Sequence, residues 1–178
     1  MKKDFVKILL NDIKVELSEE FDRNFERKAF FERKWKPRRN EGKGSLMLQT
    51  GKLRRSLRGR VTGNNSVTWT SSEPYANIHN QGGTITVSAK MKRFFWAKYY
   101  ELGGKIKYKK KGGMSKASIR VSKEAEFYRA LALKKVGSKI IMPQRQFIGD
   151  HPRVKECVKE CSDALLKEFL NDIKKEFK

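Results

Sequence analysis

Tyr75-Ala76-Asn77-Ile78-His79-Asn80-Gln81-Gly82-Gly83 follows Glu73-Pro74 and lies between two runs of strand-forming residues. Pro74 fixes its own φ and pushes Glu73 toward extended backbone, while a glycine pair can take the left-handed conformation that ends a helical turn. Between these limits Tyr75, Ile78 and Gln81 recur at helical spacing, with His79 one turn after Tyr75. Val67-Thr68-Trp69-Thr70 before it and Thr84-Ile85-Thr86-Val87-Ser88 after it are rich in β-branched and aromatic residues. The stretch reads as a corner that joins two strands through one helical turn, not as a catalytic loop.

Working outward, Arg60-Val61-Thr62, Gly63-Asn64-Asn65 and Ser66-Val67-Thr68-Trp69 predict a hairpin with Gly and Asn where positive φ is wanted. Residues 46–58 predict a short helix: Thr50 as N-cap, Leu53 and Leu57 on one face, Gly59 as stop. Lys52, Arg54, Arg55 and Arg58 ring the rest of it, either neutralising phosphates with release of counterions or lying in water. Beyond the corner the period changes to helical over residues 90–102, closed by Gly103-Gly104. Its aromatics, Phe94, Phe95, Trp96 and Tyr99, fit a core or subunit interface; stacking on bases is the alternative. A basic loop carrying Lys109, Lys110 and Lys111 follows, then a helix capped by Ser122 and stopped at Gly137. Lys139-Ile140-Ile141-Met142 is a strand that Pro143 ends.

Long helices are expected at both ends. Phe5, Leu9, Ile13, Leu17, Phe21, Phe25 and Ala29 recur every four residues, and no Pro or Gly intervenes before Pro37, so the first helix is drawn from residue 1, with Asp4 as its cap, to residue 36. Such spacing drifts by about 40° per step, so the stripe must bend or spiral across more than one surface, and a neighbouring subunit could cover part of it. Asp150 is the expected cap of the last helix, residues 150–178, whose apolar face runs from Val154 to Phe177. The expected fold is α+β in a single domain, 1–178: a small, mostly antiparallel sheet from residues 46–88 and 139–149, long terminal helices, and a basic helical insertion over 89–138.

The net charge of +22 is unevenly placed. Residues 1–34 carry 9 basic and 8 acidic side chains, residues 150–178 carry 7 of each, and the middle carries 26 basic against 5 acidic. A cationic centre implies an anionic partner, nucleic acid or an acidic protein surface, unless it only keeps the protein soluble. No apolar run approaches a membrane span, and the start lacks the apolar core of a signal peptide, so a cytoplasmic protein with no membrane partner is expected. Cys157 and Cys161 share one helical face and read as a buried structural pair, since a zinc site wants about four ligands and only His151 is near.

Catalysis finds little to stand on. His79 has no nucleophile elbow beside it, the acids of the middle region are scattered, and no phosphate-cradling glycine loop occurs. His79-Asn80 faintly resembles a histidine-asparagine nuclease motif but lacks a second metal ligand nearby, so His79 is expected to tie the corner together through its ring nitrogens. No enzyme and no cofactor are expected.

Three blocks in one order carry a family resemblance. Leu48-Gln49-Thr50-Gly51-Lys52-Leu53-Arg54-Arg55-Ser56-Leu57, then residues 75–83, then Met142-Pro143-Gln144-Arg145-Gln146-Phe147-Ile148-Gly149 resemble the three motif blocks of the phage virion morphogenesis family, the Mu-like tail-completion proteins. Trp35-Lys36-Pro37 fits the tryptophan that precedes the first block. Gln146 departs from the family pattern, where a second proline is common, and residues 89–138 form a long basic insertion. The resemblance implies a non-catalytic structural protein of a tailed phage or prophage, made in the host cytoplasm and built into the tail or neck. Its partners would be tail and head-connector proteins, further copies in a ring, and double-stranded DNA in the lumen. It assigns structural roles to Thr50, Gly51, Leu53, Tyr75, Ala76, His79, Gly82, Pro143, Arg145 and Phe147. The rival reading is a sequence-independent nucleic-acid-binding protein.

Overall fold

The computed structural model describes residues 5–38, 44–103 and 112–176. Helix α1, Phe5–Arg27, runs antiparallel to helix α6, Pro152–Glu176, with Phe5 edge-on to Phe169 at a centroid separation of 6.0 Å. Farther along, Ile13, Leu17 and Phe21 enter a cluster with Phe30, Phe31 and Cys157, and Phe21 lies edge-on to Trp69 at 5.3 Å. The drifting stripe is thus covered in succession by α6 and by a hairpin of the same chain. No neighbouring subunit is needed for it.

The first helix stops well short of residue 36. Lys28 and Phe31 take positive φ values of 55° and 53°, and the two-residue strands β1, Ala29–Phe30, and β2, Arg33–Lys34, pair antiparallel. Each left-handed non-glycine residue costs about 1–3 kcal/mol and must be held by its surroundings. The holder is Asn24, fully buried, whose Oδ1 accepts the Phe31 N–H at 2.9 Å while its Nδ2 donates to the Phe147 carbonyl at 3.2 Å. A side-chain amide ends this helix where neither Pro nor Gly is present.

The fold is α+β, and among the described residues its strands form three separate two-stranded antiparallel ladders in place of one sheet. Helix α2, Lys52–Ser56, is shorter than expected: Gly51 at φ 68° caps it without a side-chain bond, and strand β3, Leu57–Thr62, takes Arg58 and Gly59. β3 pairs with β4, Ser66–Ser71, in the expected hairpin. Gly59 therefore stops no helix. A Cβ there would lie 2.8 Å from Trp69 Nε1 and 3.0 Å from Ser18 Oγ, so the glycine lets α1 approach the hairpin.

Helix α3, Ala76–Gln81, is the corner, and Gly82 at φ 72° ends it. Strand β5, Gly83–Thr86, then pairs with β6, Lys139–Met142. Between these two strands the chain makes a helical arm, α4, Ala89–Gly103, and α5, Lys116–Ala132, which pack chiefly on each other. Ser115, not Ser122, caps α5, its side chain accepting the Ser118 N–H. The arm's base is closed by Val87 N–H to Ser138 O at 2.8 Å and Gly137 N–H to Val87 O at 2.9 Å.

Asp150 does not cap α6. His151 does: its Nδ1 accepts the Arg153 N–H at 3.2 Å, with Pro152 at the first helical position. With Nδ1 an acceptor, Nε2 carries the proton toward Glu32 Oε1 at 3.0 Å, and the ring stacks on Phe31 at 4.3 Å. Cys157 is buried between α1 and α6, and burial pushes its thiol up to about 11.

Candidate functional site

The three motif blocks and Trp35-Lys36-Pro37, far apart in the chain, meet at one node. Leu53 from α2, Ala76 from α3 and Phe147 after β6 share a buried cluster with Phe25 of α1 and Trp35. Phe25 and Phe147 have ring centroids 5.2 Å apart, and Trp35 meets Phe25 edge-on at 5.7 Å. Burying each such ring contributes roughly 1.5–3 kcal/mol, so this cluster is a major share of a lean core.

Polar groups fix how the blocks meet. Trp35 Nε1 donates to the Gln146 carbonyl at 2.6 Å. Asn80 Oδ1 accepts from the backbone N–H of Phe147 at 2.9 Å and of Ile148 at 3.1 Å. Arg145 is 6 % exposed; its N–H donates to the His79 carbonyl at 2.8 Å, its Nε to the Lys36 carbonyl at 3.1 Å and its Nη2 to the Pro37 carbonyl at 3.4 Å. Gly82 is required by contact as well as by φ, because a Cβ there would stand 2.9 Å from the Gln144 backbone nitrogen. Pro143 ends β6 and starts the segment that carries these contacts.

His79 works differently from the expectation. Its backbone carbonyl does the tying, while its buried Nδ1 has no hydrogen-bond partner. Burial first, and the Arg145 charge second, hold its pKa below the ordinary histidine value. Burial likewise lowers the Arg145 guanidinium, with Arg38 adding repulsion. Tyr75 is 38 % exposed and edge-on to His79 at 6.0 Å. Thr50, Gly51, Tyr75, His79 and Arg145 line a cavity of about 250 Å³ together with Arg38 and Lys52. Thr50 Oγ1 is 3.4 Å from the Lys52 N–H, a poor cap.

The candidate cations divide. Arg54 is bound to Asp22 and Glu26 of α1, which raises its pKa, so its charge is spent inside the chain. Arg55 Nη2 donates to the Thr50 carbonyl at 2.9 Å and Arg58 Nη1 to the Arg55 carbonyl at 2.6 Å, bonds that leave both charges uncancelled. Lys52 is exposed. Lys109, Lys110 and Lys111 lie outside the described residues.

The aromatic candidates divide too. Phe95 is buried and packs beside Tyr128 of α5, so it belongs to the arm's own core. Phe94 is 52 % exposed, and Trp96 and Tyr99 are half-buried. Tyr100, absent from the expected set, is 68 % exposed and stacked on Trp96 at 5.8 Å.

Sequence reasoning missed Asn24, Asn80 and His151 as organising residues. Asn24 had a signal: it stands three residues after Phe21 and seven after Leu17, on the apolar face. Among the described residues no group of three or more His, Cys, Asp or Glu side chains gathers as metal ligands, and no helix is long and apolar enough to cross a membrane. The model of the phage virion morphogenesis family matches residues 4–167. No curated protein and no solved structure matches the chain.

Proposed function

The chain belongs to the phage virion morphogenesis family, and from that premise we propose that it is a non-catalytic structural protein acting at the head-proximal end of the tail or at the neck. Several copies close into a ring through the arm, complete the tail and offer a docking surface to the filled head. The observation that carries this reading is the division of labour along the chain. The motif blocks meet in one buried node, while the arm presents Phe94 and Tyr100 outward, in a protein whose stretch from residue 35 to 149 is strongly cationic. Exposed aromatics of this kind are typical anchors between subunits. Arg55, Arg58 and Lys52 would face the lumen, toward DNA or an acidic connector surface.

Electron microscopy of a lysate from the parent phage with this gene deleted tests the role. Separate DNA-filled heads and tails that join when the gene is supplied in trans are the expected result. Normally joined virions in the deletion lysate would remove the completion role.

A further inference from the structure

A cavity of about 630 Å³ lies between the arm, the β5–β6 ladder and residues 36–38. Its apolar wall comes from Phe95, Phe127 and Leu131 of the arm and from Ile85 and Ile140 of the ladder. Its charged wall has one sign: Lys36, Arg38, Lys134, Lys139 and Arg145, with no acid among the lining residues. Among the described residues Lys36, Lys134, Lys139 and Arg145 have no ion-pair partner, and Lys134 and Lys139 are exposed at the rim. We infer that this groove is a docking site for an acidic protein segment, one whose apolar side chains enter the cavity while flanking carboxylates meet the rim cations.

The occupant follows from charge and shape. A duplex presents phosphates on a convex rod and offers no apolar group to a concave pocket floored by isoleucine and phenylalanine. A second copy of the chain brings no net negative charge, since the 15 acids of its terminal segments stand among 16 bases and its middle is basic. An apolar segment bordered by Asp or Glu satisfies both walls together. This inference goes beyond the proposed role and holds whether or not the protein stands at a neck.

Fluorescence anisotropy on the full chain tests it with two labelled peptides that share one leucine-phenylalanine core, one bordered by glutamates and the other by lysines. The glutamate peptide should bind at least about tenfold more tightly, and Lys134→Glu/Lys139→Glu should reverse the preference. If that variant melts earlier than the parent, Lys134→Gln/Lys139→Gln replaces it and should abolish the preference. Equal binding of both peptides, or glutamate binding that survives the double substitution, overturns the inference. Displacement of the glutamate peptide by short duplex DNA would give the cations to phosphate and overturn it as well. Self-association of the parent that disappears in the double variant would give the groove to a second copy, with the same consequence.

Discussion

At the scale of single residues, two polar side chains decide more than their size suggests. Asn24 satisfies one backbone donor and one backbone acceptor inside the core, and Asn24→Ala leaves both unpaired. At about 1–3 kcal/mol for each stranded group, the variant should lose roughly 2–5 kcal/mol of unfolding free energy, read from a urea titration. His79 gives a pH signature. Its folded pKa lies below the unfolded value, so the unfolded chain takes up the proton first as pH falls. Its contribution is fully present above the unfolded histidine pKa and declines as pH drops from there toward the folded pKa. The melting temperature should therefore fall between neutral and mildly acid pH, and His79→Gln should flatten that slope; an unchanged slope would show that other groups cause it.

Elements are held apart or together by what their contacts leave room for. α1 crosses the β3–β4 hairpin at Gly59, where Trp69 Nε1 also donates to Ser18 Oγ at 2.9 Å. Gly59→Ala puts a methyl group inside that contact and should cost about 1–3 kcal/mol, with Trp69 fluorescence shifted toward its solvent-exposed value. Gly59→Ala at full stability would mean that the helix can move aside. The Arg54 pairs with Asp22 and Glu26 link α2 to the same helix, but they lie near the surface and are worth little singly. The apolar contacts at Leu53 and Phe25 carry the junction.

Across the whole molecule, a node of motif residues is joined to an arm that depends little on it. Phe94→Ser/Tyr100→Ser should leave the melting temperature within a few degrees of the parent, because both side chains already face solvent. If the arm joins copies, the same variant should sediment as smaller species than the parent; unchanged assembly would place the interface elsewhere. Charge acts at this scale too. With 26 of the 42 cations in residues 35–149 and few acids among them, copies of the chain repel one another, and any self-association would need that repulsion offset by an acidic partner or by salt. Raising ionic strength should therefore promote self-association of the isolated protein, as light scattering would detect.

How much was legible in the sequence depended on the range of the interaction. The α+β class, the corner at residues 75–83, the hairpin turn at Gly63 and the strand at Lys139–Met142 are local, written in period, turn chemistry and proline. The end of α1 was not, because its stop signal is Asn24 bonding to Phe147, more than a hundred residues away, and no local pattern can report such a partner. The same reason moved the α6 cap from Asp150 to His151, which stacks on Phe31, and withdrew Arg54 from the free cations by pairing it with α1. Sequence alone determined most of the helices, the hairpin and the strand at Lys139–Met142, and that the centre is cationic, since these follow from each residue's own chemistry and its near neighbours. Only the tertiary structure decided which polar groups are used up in holding the node and which remain exposed to a partner, because burial and pairing belong to residues brought together by the whole chain.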